Sequence, residues 1–132
     1  MFTDEEVRHI FVPIVGVVRC WVLQDSAGNV TDLCSFYHLH STVIGHPRHN
    51  TLCAVYSYYN VAATLSLKEL MDDLLVLAYN NGADVFNALD VMENAKVFEA
   101  CKFGQGDGYL HYYLYNWKTA QIEPGEVAMV LV

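Results

Sequence analysis

Residues 110–117 read Leu110-His111-Tyr112-Tyr113-Leu114-Tyr115-Asn116-Trp117, apolar or aromatic on both alternating faces. A strand of that pattern predicts a sheet covered on both sides, because successive side chains point to opposite faces and both rows need burial. The last six residues, Val127-Ala128-Met129-Val130-Leu131-Val132, make the same demand and predict a final apolar strand. Chain ends ordinarily fray into solvent, so an apolar ending predicts that this end is held in place. It would deliver an α-carboxylate, that of Val132, into or beside a packed interior. Burial raises a carboxylate's pKa and fits it to accept a proton near neutral pH.

Elsewhere the chain is punctuated by local chemistry. Thr3-Asp4-Glu5-Glu6 and Ser66-Leu67-Lys68-Glu69 are capping boxes, in which the hydroxyl and the carboxylate three residues on satisfy each other's backbone N–H. The first predicts a helix to about Phe11, ended by Pro13 and Gly16. The second predicts a longer helix with Leu67, Leu70, Met71, Leu74, Leu75 and Ala78 on its apolar face, stopped at Asn81-Gly82. Residues 17–23 and 30–39 are β-rich and flank the turn residues Asp25 to Asn29, which predicts a hairpin. Residues 40–50 read as a loop, 52–59 as a tyrosine-dense strand, 84–88 as a short buried strand and 93–101 as a helix. Gly104-Gln105-Gly106-Asp107-Gly108 leads into the strand over 110–117, and Pro124-Gly125 turns into the last strand. The element order predicts one mixed α/β (α+β) domain over residues 1–132 with a mostly antiparallel sheet flanked by helices.

Composition narrows the function. The chain is 54% hydrophobic and 17% charged, low against a typical ~25%, so it needs cover on both sheet faces or a partner surface. A net charge of −8 disfavours nucleic acid and suits cationic ligands, a peptide with a free amine included. Cys20, Cys34, Cys53 and Cys101 form no C-x-x-C pair, and no secretory signal opens the sequence, which predicts free thiols in the cytoplasm. No apolar run reaches the ~18 residues of a transmembrane helix, and there is no Met-Gly start for lipidation of this chain itself. His38, His40, His46, His49 and Cys53 cluster in sequence without a metal-ligand spacing, so a metal site is not expected.

The segment from Lys102 to Trp117 resembles the C-terminal motif of N-myristoyltransferases, which join myristate, carried on coenzyme A, to an N-terminal glycine. The resemblance continues through Asp84-Val85-Phe86-Asn87-Ala88-Leu89-Asp90-Val91-Met92-Glu93-Asn94, Ala54-Val55-Tyr56-Ser57-Tyr58-Tyr59-Asn60 and Asp32-Leu33-Cys34-Ser35-Phe36-Tyr37. It implies an acetyltransferase-like fold and the family's C-terminal, peptide-binding half, with the N-terminal half absent. It assigns the catalytic base to the α-carboxylate of Val132. It assigns the peptide groove to Ser41, Tyr56, Asp107, Gly108, Leu110 and Leu131. It implies myristoyl-CoA as co-substrate with no tightly bound cofactor, the acyl-CoA pocket and oxyanion donors lying in the absent half. The implied partners are a peptide with an N-terminal glycine and a complementary N-terminal half.

Each groove residue also has a plainer reading. The glycines of residues 104–108 could supply positive φ in an ordinary turn, the Ser41 hydroxyl could bond its own main chain, and Tyr56 could be core. His40 stands where the family usually has proline, and Gln105 where it has an apolar residue; both departures bear on peptide affinity. Two functional readings stand: half of an acyltransferase, inactive without the other half, and a non-catalytic peptide-binding module or inactive remnant.

Overall fold

The computed structural model describes residues 2–12 and 14–130. The chain divides into two compact units, residues 1–89 and 90–132.

In the first unit the capping chemistry sets both helices. Helix α1 spans Asp4–Phe11; the Glu6 N–H donates to Thr3 Oγ1 at 3.3 Å, and the Thr3 N–H donates to Glu6 Oε2 at 2.7 Å. Helix α2 spans Leu67–Asn80 and opens on the reciprocal pair Ser66 and Glu69, at 3.2 and 3.0 Å. Its end is set by Gly82, which takes φ +81 where a Cβ would strain the backbone.

Strand β1 (Val18–Gln24) and strand β2 (Val30–His38) form the predicted antiparallel hairpin. The Asp25 carboxylate caps the turn, accepting the N–H groups of Ala27 and Asn29, both at 2.9 Å, and Gly28 takes φ +86. Strand β3 (Ser41–Thr42) pairs with β4 (Thr51–Leu52), so the expected loop over 40–50 is closed at its base by a two-stranded ladder. The expected strand over 52–59 is interrupted at Cys53, beyond which β5 (Ala54–Ser57) pairs antiparallel with β2. Cys53 turns both its backbone groups to Asp84: its N–H donates to Asp84 Oδ2 at 2.8 Å and its carbonyl accepts the Asp84 N–H at 2.9 Å. That clamp starts β6 (Val85–Asn87), which runs parallel to β5 and is half-covered rather than buried. The main sheet has the order β1-β2-β5-β6, mixed and mostly antiparallel, as expected.

The core of this unit lies on β2, where Cys34, Ser35, Phe36 and Tyr37 are buried in succession, so both faces of the strand are covered. Leu70, Met71, Leu74 and Ala78 of α2 are buried, and α2 packs on β2. Phe11 of α1 packs its ring on Tyr58 and Tyr59. Asp32 is also buried; it accepts the N–H groups of Ala63, Thr64 and Leu65 at 2.8, 2.9 and 3.1 Å, and the Thr64 hydroxyl as well. The Thr64 hydroxyl, then the backbone donors, outweigh burial and hold its carboxyl well below the usual carboxylate range. One mid-strand carboxylate thereby fixes the approach to α2.

In the second unit the sequence expectations fail in three places. Residues 110–117 are not a strand. Among the described residues no neighbouring strand offers them a ladder, Asn116 sits at φ 61, and Tyr113, Tyr115 and Trp117 are 80% exposed or more. Residues 127–130 are not a strand either. Their bonds include Met92 N–H to the Val127 carbonyl at 3.0 Å, Val127 N–H to the Pro124 carbonyl at 3.1 Å and Tyr112 Oη to the Met129 carbonyl at 3.1 Å. Leu131 and Val132, the end of the expected last strand, lie outside the described residues. The helix expected over 93–101 is reduced to a 3₁₀ turn, Asn94–Lys96, followed by further turns. It has no side-chain cap, Met92 and Lys102 at its two ends take φ 55 and φ 60, and its bonds mix three-, four- and five-residue spacings. Apolar patterning asks for burial in all three segments, but a ladder or a cap must also be available to make a strand or a helix.

Candidate functional site: a peptide-groove wall and a glycine loop

The expected groove residues fall in both units. Ser41 and Tyr56 belong to the first, on β3 and β5. Asp107, Gly108 and Leu110 belong to the second. Leu131 and the proposed base at Val132 are not among the described residues.

Ser41 pairs through its backbone with Leu52, which leaves its side chain exposed. Among the described residues its hydroxyl has no hydrogen-bond partner, so it does not satisfy its own main chain and is available to an incoming polar group. Tyr56 is half-buried. Its ring stacks on Tyr37 at 5.4 Å with the planes 17° apart, and Tyr37 in turn meets Tyr58 edge-on at 5.7 Å. Two cross-strand tyrosines in register make a stiff aromatic wall at the β2–β5 seam. The core reading of Tyr56 therefore accounts for its ring.

The glycines of the loop, Gly104, Gly106 and Gly108, do not supply the positive φ of a tight turn. Among the described residues, a Cβ built on any of the three meets nothing within 4 Å. Among the described residues neither backbone strain nor crowding calls for glycine here. Asp107, between two of these glycines, is exposed, as is Leu110 at 56%. An exposed carboxylate on a loop without side-chain cover can accept from an amine or amide.

Three polar positions stand out in the structure that residue patterning did not single out. Asp32 anchors residues 63–65. The Ser35 hydroxyl donates to the Tyr59 carbonyl at 2.7 Å and accepts the Tyr59 N–H at 3.0 Å. The Asn60 amide oxygen accepts the Ser35 N–H at 3.2 Å. Ser35 and Asn60 hold residues 58–60 beside β2 after β5 has ended. The only trace in the sequence is polar residues inside otherwise apolar strands. The histidines make ring contacts, His38 with His40 at 5.4 Å and His46 with His49 at 4.8 Å. Among the described residues no three His, Cys, Asp or Glu side chains converge on a metal position.

A mixed sheet of this order flanked by capped helices has the architecture of acyl-group transferases with the acetyltransferase-like fold. A crystal structure of Saccharomyces cerevisiae N-myristoyltransferase with bound myristoyl-CoA superimposes with a TM-score of 0.75 and 30% identity over 82% of this chain and 29% of its own. The family model described as "Myristoyl-CoA:protein N-myristoyltransferase, C-terminal domain" matches residues 1–129. The chain belongs to the N-myristoyltransferase family and corresponds to its C-terminal domain. It is 49% identical to a glycylpeptide N-tetradecanoyltransferase of Drosophila melanogaster across all of this chain and 28% of that protein. It is 50% identical to a probable enzyme of the same name from Caenorhabditis elegans, across 98% of this chain and 29% of that one. The chain thus spans less than a third of the curated relatives it matches.

Proposed function

We propose that this chain provides the peptide-binding, base-supplying part of an enzyme that transfers myristate from myristoyl-CoA to the N-terminal glycine of proteins. The match of residues 1–129 to the C-terminal domain of that family carries the reading. The residues 1–132 act together in it as one functional half, and the complementary N-terminal part of the family's enzymes is the partner.

Transfer of an acyl group from a thioester to an amine has three requirements. The α-amine, with an ordinary pKa near ~8, must lose its proton to a base. Fixed donors must meet the developing oxyanion. The two reactants must be held in line. The first requirement is assigned here to the α-carboxylate of Val132, on the family resemblance. The third is shared by Ser41, as a donor to peptide backbone, by Tyr56, as an aromatic wall with a polar tip, and by Leu131 and Leu110, as apolar contacts. Asp107 and Gly108 line the groove, Asp107 as acceptor for a peptide amide or amine, while Leu131 contacts the peptide's first residues; the open space beside the loop glycines among the described residues supports close approach of a peptide backbone there. A net charge of −8 favours a peptide carrying a free ammonium group. Myristoyl-CoA and the oxyanion donors belong to the complementary part. The four cysteines are free thiols, which supports a cytoplasmic setting. No described helix is long and apolar enough to cross a membrane.

The test is a myristoylation assay with an N-terminal-glycine peptide and myristoyl-CoA, using this chain alone and with an added family N-terminal half. Product only in the mixture supports the proposal, and a Val132 variant extended by further residues should then be inactive. Product from the chain alone would overturn the location given to the oxyanion donors. A folded chain with no product in either arm would point to a peptide-binding module without catalysis.

A further inference from the structure

Among the described residues, two buried nitrogens on one face of the β1–β2 hairpin have no partner: Nε of Arg19 and Nδ1 of His38. Arg19 lies opposite Phe36 in the antiparallel register, and His38 is two residues further along β2. Residues so related share a sheet face as diagonal neighbours, with Cα atoms roughly 7–8 Å apart. The His38 ring stands edge-on to Phe36 at 5.4 Å and to His40 at 5.4 Å, and across the next ladder His38 faces the fully buried Val55. Phe36 and Val55 thus give the His38 ring apolar neighbours on two sides. Neither Arg19, His38 nor His40 makes an ion pair among the described residues.

This is an unusual arrangement for a chain of net charge −8. A buried guanidinium N–H without an acceptor costs free energy, and so does the unpaired imidazole nitrogen beside it. Burial, then the His40 and Arg19 cations, hold the His38 pKa below the ordinary imidazole value. One anion within reach of both nitrogens would offset both penalties.

We propose that Arg19 and His38, with His40 at the rim, form a carboxylate-binding site separate from the glycine loop. The donor set selects the ligand class. The Nε–H of Arg19 and an Nδ1–H of His38 offer two N–H groups to two oxygens, and the one permanent charge among them matches a monoanion better than a phosphate dianion. The carboxylate is either a free small molecule or an acidic side chain from the part of the family's enzymes outside the domain that this chain matches.

The test follows the Arg19 Nε–H resonance in ¹⁵N-labelled chain during titration with acetate, at constant ionic strength against chloride. The expected result is a saturable shift at Arg19 and His38, with the exposed Arg8 on α1 unmoved as an internal control. His38→Phe is expected to weaken the response roughly tenfold, the effect of removing one charge-assisted hydrogen bond. Arg19→Lys keeps the charge and stem but loses the planar fork, and should weaken it by a similar factor. The backbone amide spectrum of each variant verifies that it is folded. Repeating the titration with these 132 residues in place of the C-terminal domain of a full-length family enzyme sorts the source. A retained response indicates a free carboxylate, and a lost response indicates that an acidic side chain has filled the site. Absence of any acetate-specific shift in the chain itself would overturn the proposal.

Discussion

Replacing Ser35 by alanine tests whether a single hydroxyl holds the segment that follows β5. Ser35 is fully buried, and its Oγ makes two bonds to one residue, donating to the Tyr59 carbonyl at 2.7 Å and accepting the Tyr59 N–H at 3.0 Å. Alanine removes both at once. A buried backbone group that loses its partner costs ~1–3 kcal/mol. Tyr59 is only half-buried, so water recovers part of each loss, and the two together come to roughly 2–3 kcal/mol. With a urea m-value of about 2 kcal/mol/M, the unfolding midpoint should fall by about 1–1.5 M at unchanged m. Trp21 provides the probe, because its ring packs on Phe36 at 5.3 Å, inside the strand that carries Ser35. The exposed Trp117 is replaced by phenylalanine in both proteins so that Trp21 is the one tryptophan, excited selectively at about 295 nm or longer. A midpoint shift below ~0.25 M would refute the reasoning, since it would mean that Tyr59 is held without the hydroxyl.

Leu74→Ala, at a fully buried position on α2, should lower stability by ~2–5 kcal/mol through lost transfer energy and a residual cavity, read from the same urea transitions. Asp32→Asn should destabilise the chain at pH 7 and much less in acid. The Asp32 pKa is depressed on folding, so its contribution is present above the unfolded value near ~3.9 and is lost as pH falls through the folded one. Midpoints measured at pH 7 and at decreasing pH should therefore converge for wild type and variant. Burial pushes the Cys34 thiol up to about 11, so mass spectrometry after brief alkylation at pH 8 should find Cys34 the last of the four cysteines to react. Gly108→Ala should leave the melting temperature within about a degree, because its Cβ meets nothing within 4 Å among the described residues, yet raise KM for peptide in a reconstituted myristoylation assay.

The parts of this fold legible from the residues are those whose physics is local. The capping boxes at Thr3 and Ser66, the stop at Gly82 and the Asp25–Asn29 turn each close hydrogen bonds within about four residues, so residue types at fixed spacing suffice to place them. The hairpin and the apolar face of α2 follow from the same periodicities, and the long motifs carry the family assignment with them. Ser41 and Tyr56 could be named from motif resemblance, but only the structure separates a free hydroxyl on β3 from a ring stacked in a cross-strand pair. The clamp between Cys53 and Asp84 and the Asp32 anchor join residues about 31 apart in sequence, and no local pattern encodes such a pairing. Residues 110–117 and 127–130 show the converse. Their apolar alternation specifies that they need cover, and the tertiary structure decided that among the described residues no strand supplies it. A strand is a property of a pair, because its backbone groups must find partners on another segment, whereas a capped helix carries its partners within itself.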